Sequence, residues 1–270
     1  MNQKNKMGIN IFIGVIFLIY ILVLIIIYFL QNKLLYHPGV NSYLDESSLN
    51  HRIEKIYIPS EHKLLAWHYK KDNSYKTLLF FHGNAGKLDN RIYKLNEISK
   101  LNLNYLIVAY RGFSGNEGKP DEIGLYKDSR AAKYWLNLQN VSDKDIILYG
   151  ESLGTAIAID LAKDHEFAGI ILEAPFTSMV DIGQKYYPFF PVRLLLKDKY
   201  ESKKKLKYLK SPTLVMHGKK DNIVPFYMGK EIYDLLEKHK FKYFSEDDDH
   251  MMEFNEKLIN QIKLFINNID

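Results

Sequence analysis

The 270-residue chain predicts a mostly parallel α/β sheet covered by helices on both faces and preceded by one membrane-spanning helix. Three observations carry this reading. Short apolar runs alternate with helix-like stretches, a serine between two glycines follows one of those runs, and Ile11 to Leu30 holds about twenty residues without a charge. Roughly 240 residues follow the apolar segment, which suits a single domain large enough to bury a substantial core. The expected organisation is a cytoplasmic N-terminus over 1–10, a transmembrane helix over 11–30 and one domain over 31–270.

At about 1.5 Å per residue, Ile11 to Leu30 matches the roughly 30 Å hydrocarbon layer as one helix. A cleavable signal peptide is the rival reading, but the run is too long and no small-x-small site follows it. Lys4 and Lys6 precede the run and Lys33 alone closely follows it, so the positive-inside bias places the N-terminus in the cytoplasm and the domain on the extracytoplasmic side. Arg52 to Ile58 and Leu64 to Tyr69 read as an antiparallel edge. Thr77 to Phe81, Tyr105 to Ala109, Ile146 to Tyr149, Gly169 to Leu172 and Thr213 to Met216 read as buried strands, and Phe241 to Phe244 as a short one. Asp121 to Gln139 keeps Ile123, Tyr126, Ala131, Tyr134 and Trp135 at helical spacing, which assigns its aromatics to the core.

Gly150-Glu151-Ser152-Leu153-Gly154 directly follows the apolar run Ile146 to Tyr149. A strand entering this pentapeptide reads as a nucleophile elbow, in which a strained turn lifts the serine above a helix N-terminus. Glycines two before and two after relieve clashes that any side chain would make there. Leu153 to Ala162, small and apolar, reads as a buried helix packed on the sheet. Acyl-transfer chemistry at such a serine needs a base, an orienting acid and an oxyanion hole, with the chain order nucleophile, acid, histidine.

Asp221 supplies the acid: Thr213 to Met216 leads into His217-Gly218 and a loop that carries it at a strand's carboxyl end. Its bland reading is a cap for the helix near Pro225. Glu173, at the end of the preceding strand, is a second candidate acid. The base candidate is His250, in a polar loop after the last strand. Among the nine histidines, His37, His51, His62 and His68 precede the elbow, His165 and His239 lie in helical or loop stretches, and His82 and His217 end strands in positions suited to structural hydrogen bonds. Asp247-Asp248-Asp249-His250 also reads as a solvated acidic loop; a zinc site would require a second histidine or a cysteine nearby, and none is there. The oxyanion hole takes the amide of Leu153 and, from the glycine-bearing loop His82-Gly83-Asn84-Ala85-Gly86, the amide of Asn84. That loop lacks the Lys-Ser/Thr ending and glycine spacing of phosphate-cradling motifs.

From about Gln31 to the C-terminus the chain resembles the membrane-anchored α/β-hydrolase-domain serine hydrolases, a branch related to prolyl-oligopeptidase-type enzymes and similar to acyl-protein thioesterase-type proteins. The likeness rests on Leu34-Leu35-Tyr36-His37-Pro38, His82 to Gly86, Tyr110-Arg111-Gly112-Phe113-Ser114-Gly115, the elbow, His217-Gly218 with Asp221, and His250. It implies an α/β-hydrolase fold, a Ser152-Asp221-His250 triad and Asn84 and Leu153 as oxyanion donors. Three aspartates precede His250 where the family often has a glycine-rich lead-in, and their charge favours the protonated imidazole. In this fold a cap commonly grows after the sixth strand, here over about 174–210; it holds Tyr187, Phe189 and Phe190 and Leu194 to Leu196. These residues suit an apolar acyl pocket, a surface that dips into the bilayer, or packing of the cap on the domain.

The function this implies is hydrolysis of carboxylic esters or thioesters through an acyl-enzyme, with a membrane-tethered peptidase and a non-catalytic anchored scaffold as alternatives. No cofactor is called for, and the bilayer and a small acyl substrate are the expected partners. The absence of cysteine excludes disulfides and thiol mechanisms. A formal charge of +5 without a basic stripe interleaved with aromatics gives no support for nucleic-acid binding. Lys203-Lys204-Lys205 reads as a solvated helix face or a contact with anionic headgroups.

Overall fold

The computed structural model describes residues 3–39, 45–237 and 239–269, so the first two residues of the expected N-terminal stretch lie outside the described residues. Helix α1 runs Gln3–Leu35, longer at both ends than the uncharged run, and its apolar side chains are largely exposed. It is the one described helix long and apolar enough to cross a membrane.

Eight strands form one sheet: β1 Glu54–Ile58, β2 Leu64–Tyr69, β3 Thr77–Phe81, β4 Asn104–Val108, β5 Ile146–Glu151, β6 Gly169–Glu173, β7 Thr213–Gly218 and β8 Lys240–Ser245. Their order is β1-β2-β4-β3-β5-β6-β7-β8. β1 pairs β2 and β2 pairs β4 antiparallel, while β3 through β8 pair in parallel, as the sequence predicts. Every residue of β3 to β7 is buried, the pattern of a parallel sheet covered on both faces. β3 has β4 on one side and β5 on the other, so strand order reverses there and a crevice opens at the carboxyl ends of β3 and β5.

The covering helices are α2 Ile92–Ile98, α3 Glu122–Leu138, α4 Leu153–Ala162, α8 Phe226–Leu235 and α9 Glu256–Asn268, and between β6 and β7 lie α5 Met179–Tyr186, α6 Val192–Leu195 and α7 Ser202–Lys205. All ten residues of α4 are buried, which explains its composition of small and aliphatic side chains. Helix α3 corrects one expectation: Ile123 and Tyr134 are exposed, and the buried face is Gly124, Leu125, Asp128, Ser129, Ala132 and Leu136. Tyr126, Ala131 and Trp135 pack against the core as expected, and the buried stripe also takes in Asp128 as the partner of Arg111, whose guanidinium reaches it at 2.7 Å. In α7, Lys203 pairs with Glu231, Lys204 with Glu201 and Lys205 with Asp160, so the lysine run is neutralised within the domain.

Backbone crowding fixes the elbow glycines. A Cβ at Gly154 would lie 2.0 Å from the Phe81 carbonyl oxygen, and one at Gly150 would lie 2.5 Å from the Gly154 oxygen. Because both obstacles are main chain, Gly154→Ala is expected to cost about 3 kcal/mol or more. Thermal unfolding in detergent checks this; an unchanged midpoint would contradict it.

Candidate active site

Ser152 connects β5 to α4 with φ 51° and ψ −112°, a left-handed conformation that L-residues avoid. The turn is held from both sides. Its amide donates to Glu173 O at 2.8 Å, and its carbonyl accepts from the Thr155 amide at 2.9 Å and the Thr155 hydroxyl at 2.6 Å. The Ser152 side chain projects into the crevice, where Oγ lies 3.1 Å from His250 Nε2. His250 Nδ1 lies 2.8 Å from Asp221 Oδ2. The loops after β5, β7 and β8 thus bring three side chains, distant in sequence, into one hydrogen-bonded row.

Asp221 does not cap α8, whose N-cap is Pro225, but holds its own loop and the histidines. Its Oδ1 accepts from the amides of Ile223 and Val224, each at 2.8 Å, fixing the loop before α8. Its Oδ2 faces His250 and also His217, whose Nε2 lies 3.1 Å away. His217 Nε2 is 3.0 Å from Val224 O as well. Both neighbours are acceptors, so Nε2 carries the proton and donates to them, leaving Nδ1 buried without a partner among the described residues. Burial alone would raise the Asp221 carboxyl, but hydrogen bonds from His217, His250 and the Ile223 amide outweigh it and hold the group well below the usual carboxylate range. The aspartates before His250 face other partners: Asp247 pairs with Lys220 at 3.0 Å, and Asp249 accepts from the Met251 amide at 2.9 Å.

Beneath the elbow lies a charge network that sequence reasoning missed. Glu151 Oε1 is 2.6 Å from Arg91 Nη2 and its Oε2 is 2.8 Å from Lys94 Nζ. Lys94 also reaches Glu173 at 2.7 Å, and the Tyr149 hydroxyl donates to Glu173 at 2.5 Å. Two cations and two anions, all buried, balance one another. Burial opposes the Lys94 charge, yet Glu151 and Glu173 together hold it above the ordinary lysine value. Arg91 also donates to Ala85 O at 2.7 Å, so the network ties the β3–α2 loop to the elbow. Glu173, the second candidate acid, is therefore engaged away from the histidine. Its carboxylate was visible in the sequence, but Lys94 carried no local signal because its partners come from two later strands.

The loop after β3 places Asn84 beside Ser152 and Leu153 on the wall of one cavity of about 860 Å³. The amides of Asn84 and Leu153 have no acceptor among the described residues. Asn84 is tied to the end of α1: its side chain donates to Leu35 O at 2.8 Å, and its carbonyl accepts from the His37 amide at 2.9 Å. Of the three predicted substrate contacts, Tyr187 and Phe190 line the cavity, whereas Phe189 does not and is 88% exposed. The chain turns there, the Phe190 amide donating to Tyr187 O at 3.1 Å, and composition cannot reveal which rings such a turn leaves outside.

His82, at the end of β3, is fully buried. Burial and the Arg91 charge lower its pKa from 6.5 to about 3. The folded protein keeps this imidazole neutral down to that pH, while the unfolded chain takes up a proton near 6.5. Its stabilising contribution is therefore complete above pH 6.5 and lost as pH falls toward 3, by about 1.4 kcal/mol per unit. Unfolding free energies measured against pH should show a shallower acid slope in His82→Gln; parallel curves would contradict this.

An eight-stranded, mostly parallel sheet with a strained serine at the strand-to-helix turn and an exposed apolar helix at its N-terminus defines an α/β serine hydrolase of esterase-like type. The chain belongs to the prolyl oligopeptidase family, whose model matches residues 126–263. It is 34% identical over 215 residues to an uncharacterized protein of Mycobacterium tuberculosis, covering 78% of this chain and 76% of that one. It is 30% identical to human alpha/beta hydrolase domain-containing protein 17B, covering 72% of this chain and 67% of that one. It is also 30% identical to the lysophosphatidylserine lipase ABHD12 of Danio rerio, covering 64% of this chain and about half, 51%, of that one. Among solved structures, an alpha-beta hydrolase from Vibrio vulnificus aligns with TM-score 0.73 at 21% identity over 91% of this chain and 94% of that one. An esterase from Pyrococcus furiosus aligns with TM-score 0.69 at 19% identity over 87% and 97%. These two share the fold.

Proposed function

We propose that this protein is a membrane-tethered serine hydrolase that cleaves carboxylic ester or thioester bonds with Ser152, His250 and Asp221 as its triad. The observation that carries the reading is the row Asp221 Oδ2, His250 Nδ1, His250 Nε2, Ser152 Oγ, with steps of 2.8 and 3.1 Å, opening on an apolar cavity. Asp221 accepts from Nδ1–H and so leaves Nε2 as the lone-pair nitrogen that takes the Ser152 proton. Oγ attacks the acyl carbon, and the oxyanion is stabilised by the unpartnered amides of Asn84 and Leu153. His250 then donates the proton to the departing alkoxide or thiolate. Water, deprotonated by the same imidazole, cleaves the acyl-serine ester and restores the hydroxyl.

Helix α1 tethers the domain, and Lys4 and Lys6 near its N-terminal end against Lys33 at the other support a cytoplasmic N-terminus with the catalytic domain outside. The apolar cavity walls favour an acyl group, in keeping with a relative whose name describes a lysophosphatidylserine lipase. A fluorophosphonate probe should attach to the peptide carrying Ser152, and purified full-length protein should turn over esters or thioesters faster than aminoacyl amides. Labelling elsewhere, or faster amide cleavage, would refute the reading.

A further inference from the structure

The cavity above Ser152 has an unusual wall. One side is the cap, with Tyr187, Phe190, Leu195 and Leu196; the other is α1 itself, with Ile27, Gln31, Leu34 and Leu35. The two walls are joined along the helix. The Tyr20 hydroxyl donates to Phe189 O at 2.9 Å, and the Tyr20 and Phe190 rings stack with centroids 5.9 Å apart. Lys197 Nζ sits 4.3 Å above the Tyr28 ring. Gln31 Nε2 donates to Leu195 O at 3.2 Å, while its Oε1 accepts from the Lys197 amide at 2.7 Å. The one polar side chain that α1 contributes to this wall is thus occupied by backbone partners, and the face it offers to the cavity is aliphatic.

Depth follows from the helix. Lys197 over Tyr28, with Lys33 five residues further on, marks the headgroup level. Tyr20 lies eight residues from Tyr28, about 12 Å deeper into the hydrocarbon at 1.5 Å per residue. The cap tip that touches Tyr20 lies at the same depth. Its outermost residue fits that solvent: Phe189 is 88% exposed. The Phe189 carbonyl, in a non-helical turn where lipid offers no donor, is satisfied by the Tyr20 hydroxyl.

Building on the serine-hydrolase reading, we infer that α1 is a wall of the substrate channel as well as an anchor, and that the acyl chain of a membrane lipid enters between α1 and the cap directly from the leaflet. The carbonyl end of that chain reaches Ser152 at the channel floor, and its tail lies along Ile27 and Leu34. The substrate never crosses water.

The first test uses the wild-type, full-length protein in phosphatidylcholine vesicles. A fluorophosphonate carrying a long alkyl chain with a diazirine near its end is attached to Ser152, photolysed, and its cross-links mapped by mass spectrometry. Cross-links on α1 and the 186–196 segment are expected; cross-links confined to other surfaces overturn the channel. No adduct on Ser152 at all would remove the serine reading, and this inference with it. The second test compares palmitoyl and acetyl esters of one leaving group. Ile27→Trp narrows the channel and should lower the palmitoyl-to-acetyl ratio of kcat/KM about tenfold, the loss of roughly two buried methylenes. Phe29→Trp, on the 73% exposed lipid-facing side, should leave the ratio unchanged. Equal ratios in Ile27→Trp and wild type overturn the wall. Wild-type turnover of the palmitoyl ester should follow its mole fraction in the bilayer and fall when cyclodextrin draws it into water; turnover that follows the aqueous concentration overturns entry from the leaflet.

Discussion

Replacing Ser152 by alanine is expected to lower kcat by about 10⁴- to 10⁶-fold and to abolish fluorophosphonate labelling. The size follows from what the hydroxyl does. In the proposed mechanism the acyl-enzyme route and the group that His250 deprotonates go with it, leaving binding and the oxyanion donors as the residual catalysis. Stability should barely move, because alanine keeps the same left-handed backbone and the amide bond to Glu173 O. His250→Ala should cost about as much, and the double variant no more than either alone, since the pair acts as one unit. Steady-state rates for the three variants check this. Losses that multiply, or labelling that survives Ser152→Ala, would contradict the assignment.

Lys94→Met should be strongly destabilising, by about 3 to 5 kcal/mol. Methionine matches the volume of the lysine stem, so packing is preserved and the loss reports charge. Without Nζ, Glu151 keeps Arg91, whereas Glu173 loses its cation and keeps the Tyr149 hydroxyl. For a domain of this size such a loss lowers the unfolding midpoint by roughly 10 °C. The pH dependence should change as well, because burial already raises the Glu173 carboxyl in the wild type and loss of Lys94 raises it further. In the wild type, burial pushes the Glu151 carboxyl up, but Arg91 and Lys94 overcome this and hold it below the ordinary carboxylate range. That contribution is present at neutral pH and lost as acid approaches. In the variant one carboxyl retains a proton, so acidification should restore stability before it removes it. Adding Glu173→Gln to Lys94→Met should recover part of the loss. Denaturation curves between neutral and mildly acid pH test both statements, and a variant as stable as wild type would contradict the network's role.

Much of the fold was legible because its signals are local. Leu64 to Tyr69 and Thr77 to Phe81 were bounded to the residue, since each is a continuous apolar run closed by polar or glycine residues. Strand ends beyond Tyr149, Leu172 and Met216 were read short because Gly150, Glu151, Glu173, His217 and Gly218 look like loop residues until pairing with the next strand extends them. The meeting of Ser152, Asp221 and His250 was legible because each follows a strand, and every strand of a parallel sheet delivers its end to the same edge. The core-facing stripe of helix α3 was read in part, with Tyr126, Ala131 and Trp135 packed inward and Ile123 and Tyr134 outward, for the opposite reason: a buried Asp128 is polar in sequence and becomes an interior residue only when Arg111 meets it.

What the chain alone determined, then, are features set by neighbours in sequence. These are the apolar length of α1, the alternation of strands and helices, and the glycines that admit a strained serine. Tertiary structure decided what depends on residues far apart meeting: the Glu151, Lys94 and Glu173 network, the second histidine on Asp221, and the docking of α1 along the cap so that Ile27 and Leu34 face the same cavity as Ser152. A hydrophobic helix long enough to span a bilayer carries no mark of which face it turns to protein, because lipid and an acyl channel ask for the same side chains.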